Sequence, residues 1–304
     1  MIHGIINVYK EKGYTSHDVV AKLRGILGQK KIGHTGTLDP DAEGVLPVCL
    51  GKATKVCDLL TDQDKTYYAI LLLGKTTDTQ DVSGQILKEA EVTSSIKEVY
   101  EAVQSFKGTY AQIPPMYSAL KINGKKLYEL AREGKTVERE ARKVQIHNIK
   151  IHEIVLPRVS MTVTCSKGTY IRTLCHDIGE KLGCGGCMEQ LLRTKVGDFY
   201  IEDSLKLEEI EILQDLGQLS EHVVQIDSLF SMYPAVSVKK ENQKMLANGN
   251  PLYSRQVEKA GIPAQSGLVR IYDAEGIFYA LYEYLKKESR FRPVKMFHDG
   301  GEES

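Results

Sequence analysis

The chain has 304 residues, 42% of them hydrophobic and 26% charged, with 40 Lys/Arg against 40 Asp/Glu. This is the composition of a soluble globular protein with room for one or two domains, and it excludes both a disordered chain and one that binds nucleic acid indiscriminately through net charge. No apolar run reaches the roughly 18 residues of a membrane span. The opening MIHGIINVYKEKG does not read as a signal peptide, so the expected location is the cytoplasm.

In chain order, residues 4–9 (GIINVY) read as a buried strand bounded by Gly13. Ser16 reads as the N-cap of a helix running to Leu27, with Val19, Val20, Leu23, Ile26 and Leu27 as its apolar stripe and Gly28 at C′. Residues 31–52, rich in Gly, Pro and Asp, read as a long loop entering a short strand, followed by a helix at 53–60. Tyr67–Leu73 reads as a strand and 95–106 as an amphipathic helix. Strands are expected at 143–155 and 159–165, a helix at 170–182, and an acidic helical stretch at 206–230. Past Tyr233-Pro234, short strands at 236–238, 267–272 and 277–284 indicate a small β-rich domain. Helices and strands do not alternate regularly, so the main body is expected to be α+β.

Charge is unevenly distributed. Residues 121–150 carry nine Lys/Arg against four Glu, and residues 1–31 carry six basic side chains against two acidic ones. Residues 202–230 carry one Lys against eight acids. Such segregation can give a neutral chain a basic face for a phosphate backbone. The six cysteines (Cys49, Cys57, Cys165, Cys175, Cys184, Cys187) read as free buried thiols; Cys184 and Cys187 have zinc-ribbon spacing but no second pair of ligands.

The densest stretch is Gly33-His34-Thr35-Gly36-Thr37-Leu38-Asp39-Pro40-Asp41-Ala42-Glu43-Gly44-Val45-Leu46-Pro47. Three glycines, two prolines and three carboxylates make a loop whose shape is set by backbone chemistry, and binding groups concentrate on such loops. With Lys52-Ala53-Thr54-Lys55, it resembles the catalytic-aspartate motif of the bacterial tRNA pseudouridine-55 synthase (TruB) family. Further segments resemble that family in order and spacing. They are GIINVYKEKGYTSHDVV, Asp64-Lys65-Thr66-Tyr67, Thr77-Asp78-Thr79-Gln80-Asp81 and Met116-Tyr117-Ser118-Ala119-Leu120-Lys121, then Cys165 to Leu174 and Leu191-Leu192-Arg193-Thr194. The tail, with GLVRIYDAEGIFYALYEY and Arg292-Pro293-Val294-Lys295, resembles a short PUA-type RNA-binding domain. One departure stands out: where the family has Asp-Lys-Pro, this chain has Tyr9-Lys10-Glu11.

The resemblance implies a mixed or antiparallel-sheet catalytic domain over residues 1–230, with a basic RNA-contacting insertion at about 116–143. A PUA-like domain would follow over 233–304. It implies isomerisation of uridine 55 in the T loop of tRNA to pseudouridine, without metal or cofactor, by a monomer needing no protein partner. Asp39 would be the catalytic carboxylate, as nucleophile at C1′ or base at C2′, and Arg172 the arginine paired with it. Tyr67 would stack on the target base and take its carbon-5 proton, Tyr170 and Leu191 would line the uracil pocket, and His34 would fill the gap left by the flipped base. Lys10 and residues 121–150 would hold phosphates. Two other readings remain: a tRNA-folding factor acting without catalysis, and a hydrolase whose metal is held by Asp39, Asp41 and Glu43.

Overall fold

The computed structural model describes residues 1–122 and 124–298, so Asn123 of the basic segment and the final residues 299–304 of the expected C-terminal domain lie outside the described residues. A ten-stranded sheet forms the main body. Along it run Val223–Val224, Gly4–Lys10, Glu43–Leu50, Gly186–Val196, Lys65–Leu73, Arg158–Cys165, Arg142–Val155 and Gly108–Gln112, with Ile32–His34 and Phe199–Tyr200 paired off this path. Among the described residues, every pairing between these strands is antiparallel except one. Glu43–Leu50 meets Gly186–Val196 in parallel, over just two residue pairs, Leu192 with Glu43 and Arg193 with Gly44. The sheet is therefore two antiparallel halves joined by a short seam, the mixed α+β arrangement expected of the main body.

Gly44 makes the seam possible. Its φ of 106° lies in the region that favours glycine, and a Cβ there would collide with the backbone of Arg193. The chain enters this seam directly from residues 35–42, the loop that carries Asp39.

Helices Ser16–Leu27 and Leu207–Asp215 cover one half, packing on Ile6, Val8, Leu46 and Val48. Helices Ile96–Gln104 and Ile171–Lys181 cover the other, on Leu71, Met161 and Val163. Each such aliphatic side chain, fully buried, contributes about 1.5–3 kcal/mol. The first helix is capped by Thr15 in a reciprocal box with Asp18, not by Ser16 as the sequence suggests. Ser16 instead accepts a hydrogen bond from Leu38 N–H at 2.9 Å and so pins the residue before Asp39.

The expected acidic helix at 206–230 is helical only over Leu207–Asp215; short 3-10 turns and a two-residue edge strand follow. Beyond it, Ala235–Ser237, Gly267–Tyr272, Phe278–Leu285, Arg290–Met296 and Leu252–Tyr253 build a separate five-stranded sheet. This sheet packs on the main body through Leu281 and Phe297 against Ile226 and Phe230. The hydroxyl of Tyr272 also donates to Asp227 at 2.8 Å. Among the described residues no helix is long and apolar enough to cross a membrane.

Candidate active site

Residues 35–42 leave the strand Ile32–His34 and return as the strand Glu43–Leu50. Two buried cations hold this loop by its backbone. Lys10 is fully buried, and its ammonium donates to the carbonyls of Ala42 at 2.5 Å, Glu11 at 3.1 Å and Pro40 at 3.2 Å. Arg193 is 1% exposed and reaches the other side: Nε donates to Val45 O at 2.6 Å, Nη2 to Gly36 O at 3.4 Å and Nη1 to Thr37 O at 3.5 Å. Hydrogen bonds to charged donors are the stronger kind, so the four loop carbonyls among these six, of Gly36, Thr37, Pro40 and Ala42, are well defined. Burial lowers the Lys10 ammonium to about 8, partly offset by Asp39 and Glu43.

At the loop's crest the Asp39 side chain remains two-fifths exposed, 3.3 Å from Nη2 of an almost buried Arg172. The same Nη2 donates to Tyr117 O at 2.6 Å, and Nη1 reaches Asp81 at 3.5 Å. Arg172 therefore lies between two carboxylates. Asp81 is fixed in turn, accepting from Ser83 N–H at 3.0 Å and from the Thr79 hydroxyl at 2.8 Å. Burial raises the Asp39 carboxyl above the ordinary carboxylate value, and Arg172 pulls it back without cancelling the shift; Asp81 adds a smaller upward push. Desolvation is thus a larger influence on the charge of Asp39 than its paired arginine.

Tyr67 faces the core shared by Leu38 and Ala42 from the strand Lys65–Leu73, with Leu191 packed against the same cluster. Burial raises its phenol, and Arg193, its cross-strand neighbour, lowers it in part. Tyr170 precedes the helix Ile171–Lys181, locked by Gln112, which accepts from its N–H at 2.8 Å and donates to its carbonyl at 2.9 Å. Asp39 and Arg172 both act on its phenol electrostatically. Asp39, Tyr67, Tyr170, Arg172 and Leu191 are thereby brought together. His34 stands at the start of the loop, its ring 5.6 Å edge-on from His17. Its Nδ1 accepts from Gly36 N–H at 3.4 Å, and burial holds the imidazole below its ordinary value, so it is neutral at pH 7.

Lys10 needs a correction. An ammonium with no exposed surface and three backbone carbonyls around it does not reach a phosphate; it braces the loop that presents Asp39. Lys10→Met should therefore lower the maximal rate roughly tenfold to a hundredfold through loosening of the loop, while the salt dependence of RNA binding stays as in the unsubstituted protein. A salt slope shallower by about one would restore the phosphate reading. The departures beside it are accommodated locally: the Tyr9 hydroxyl donates to Glu43 at 3.3 Å, and Glu11 pairs with Lys206 at 3.3 Å.

Arg193 was not singled out from sequence. It stands in a quoted motif, yet an arginine among polar neighbours gives no sign that it is buried. Tyr117 and Gln112 give no sequence signal either, because each acts through a partner distant in sequence. Asp41 is exposed and Glu43 is bonded to Tyr9, so these two do not gather with Asp39 as the hydrolase reading requires. Residues 113–141 form an excursion between two paired strands, Gly108–Gln112 and Arg142–Val155. They contain a Lys121–Ile122/Lys125–Lys126 hairpin and the short helix Leu127–Arg132.

Comparison with known proteins gives the family. Residues 24–171 match the TruB family pseudouridylate synthase N-terminal domain, and residues 172–231 the tRNA pseudouridylate synthase B C-terminal domain. The chain is 55% identical to tRNA pseudouridine synthase B of Lachnoclostridium phytofermentans, over 97% of this chain and 100% of that one. It is 45% identical to the enzyme of the same name from Clostridium acetobutylicum, over 96% and 99%. Among solved structures, an H/ACA ribonucleoprotein bound to a substrate RNA containing 2′-deoxyuridine superposes with a TM-score of 0.70 at 25% identity, over 97% of this chain and 85% of that one. A Cbf5-Nop10-Gar1 complex gives 0.70 at 27%, with the same coverage. With two family domains matched in sequence and full-length relatives well above 30% identity, the chain belongs to the TruB family of pseudouridine synthases and is an isomerase.

Proposed function

We propose that this chain converts uridine 55 in the T loop of tRNA to pseudouridine, with Asp39 as the catalytic carboxylate. The observation that carries the reading is a partly open carboxylate, paired with a buried arginine, on a loop braced by two further buried cations. It stands in a chain aligned end to end with enzymes named tRNA pseudouridine synthase B. The reaction breaks the C1′–N1 bond, turns the uracil and forms C1′–C5, so it is redox-neutral. Asp39 engages the ribose, by attack on C1′ or by taking the C2′ proton.

Tyr67 and Tyr170 supply flat walls for a uracil beside Asp39, and Leu191 closes the apolar side. To reach this depth the base must leave the T-loop stack, and the neutral His34 ring fills the place it vacates. Arg172 orients the carboxylate. The excursion 113–141 holds phosphates, and the C-terminal sheet serves as a PUA-like RNA-binding domain over 233–304, with residues 1–230 as the catalytic domain. The enzyme works as a monomer in the cytoplasm.

Lys125 is exposed, and Lys126 lies 5.3 Å over the Tyr128 ring, a basic and aromatic pairing suited to RNA. Replacing both lysines with Ala should weaken tRNA binding and flatten its salt dependence by up to about two units of slope, with little change at saturating RNA. An unaltered slope would mean that this hairpin faces solvent. The deciding experiment for the function is nucleotide-resolution mapping of pseudouridine in tRNA treated with the purified protein. One new pseudouridine in the T loop is expected; bound but unmodified tRNA would favour the folding-factor reading.

A further inference from the structure

Among the described residues, two that are not glycine hold a positive φ, and one of them, Gln80 at 65°, adjoins the carboxylate Asp81. A side chain with a Cβ rarely takes up this left-handed conformation, and such strain persists where the surroundings over-determine it. The Gln80 carbonyl accepts from Met188 N–H at 3.0 Å, and Met188 O accepts in turn from Val82 N–H at 3.0 Å. Residues 80–82 thus dock on the strand Gly186–Val196 through a single parallel bridge at Asp81. The Gln80 side chain is held by a different element: its Oε1 accepts from the buried Thr173 hydroxyl at 2.7 Å. Thr173 follows Arg172 on the helix Ile171–Lys181. One hydrogen bond therefore ties the residue before Asp81 to the residue after Arg172, alongside the ion pair that Asp81 and Arg172 make.

We propose that Gln80 is a positioning residue, whose left-handed backbone and bond to Thr173 together deliver the Asp81 carboxylate to the guanidinium of Arg172. This rests on the isomerase reading above and specifies how the arginine beside Asp39 is held. Arg172 gives Nη2 to Asp39 and to Tyr117 O, while its Nε has no hydrogen-bond partner among the described residues. Nη1 meets Asp81 at 3.5 Å, so Asp81 fixes the far arm of the fork. That contact stands at the outer limit of a hydrogen bond, and a small displacement of Asp81 would lose it. The bonds that Asp81 accepts from Thr79 and Ser83 lie within its own turn. They shape the turn and cannot set its place against the helix. Gln80 sets that place, because it is bonded to the strand through its backbone and to the helix through its side chain.

The test measures maximal rate and the pH dependence of kcat/KM for Gln80→Ala, Thr173→Val and Thr173→Ser. Gln80→Ala is also combined with Asp81→Asn, and Asp39→Asn is run alongside. Asp39 is faced by Arg172 from the helix, Asp81 from its turn, Lys10 from the strand Gly4–Lys10 and Asp41 from its own loop, with the Tyr67 and Tyr170 phenols in electrostatic reach. Of these, the substitutions displace Asp81, whose charge pushes the Asp39 carboxyl upward. Gln80→Ala and Thr173→Val should each lower the maximal rate about tenfold to a hundredfold through misplacement of Arg172. Each should also move the acid limb toward lower pH, because Asp81 pushes less and competes less for the guanidinium. Thr173→Ser, which keeps the hydroxyl, should retain the parental rate and limb. In the Asp81→Asn protein, Gln80→Ala should cost less than about a further threefold. An unmoved limb, or losses that multiply with that of Asp81→Asn, would make Gln80 a structural strut and overturn the proposal; so would parental activity in Gln80→Ala. Should Gln80→Ala fold poorly, Gln80→Gly accepts a φ of 65° and lacks the same side chain, and it decides by the same two readouts. Loss of the isomerase reading itself would look different, as no pseudouridine from the unsubstituted enzyme or undiminished product from Asp39→Asn.

Discussion

Asp39→Asn should reduce pseudouridine formation to background, at least about 10⁴-fold, while tRNA binding stays within roughly tenfold. The substitution keeps size and shape and removes the oxygen that attacks or takes a proton. Stability should hold or rise. The folded-state carboxyl is shifted upward, so the native protein favours its protonated form; that contribution is present below the unfolded pKa and is lost as pH rises through the folded one. At neutral pH the ionised Asp39 is therefore a net liability to the fold, and a neutral amide removes it. Parallel activity assays and thermal melts at pH 7 check both halves. Activity within about a hundredfold of the parent would make Asp39 a turn residue, with Asp81 the next carboxylate to examine. A melting point well below the parent would mean that the pair with Arg172 stabilises more than burial costs.

Much of the site was legible because its chemistry is local in sequence. The loop of Asp39 shows itself by glycines, prolines and carboxylates crowded into fifteen residues. What stayed hidden depends on tertiary placement. The strand Glu43–Leu50 is longer than the short strand expected at the end of the 31–52 loop, because Pro47, which cannot donate to a ladder, is accommodated within it. In the fold its carbonyl accepts from both the N–H and the hydroxyl of Thr35, at 3.1 and 3.0 Å. The central strand Gly186–Val196 escaped notice altogether. Bulges between Met188 and Gln190 and between Arg193 and Lys195 break its alternation, and its largest buried side chain is an arginine. Lys10 was misread for a related reason, since a lysine in a basic segment carries no mark of burial.

Arg172 supports the most discriminating prediction about charge. Arg172→Gln should lower the maximal rate about 10²–10³-fold, because the amide cannot hold Asp39 and Asp81 together in the way that a forked cation does. The pH profile separates this from simple disorder. Asp39 must be ionised to act, so the acid limb of kcat/KM follows its pKa in the free enzyme. Burial and Asp81 push that pKa upward while Arg172 pulls it down. Removing the guanidinium takes away the downward influence and leaves the upward ones, so the acid limb should move to higher pH. Activity lost at pH 7 should then be partly regained at more alkaline pH. A uniformly lower profile with an unmoved limb would mean that Arg172 holds the loop at Tyr117 and does not govern the charge of Asp39. Asp81→Asn offers the opposite sign: loss of its negative charge lowers the Asp39 pKa, and the limb should move toward acid.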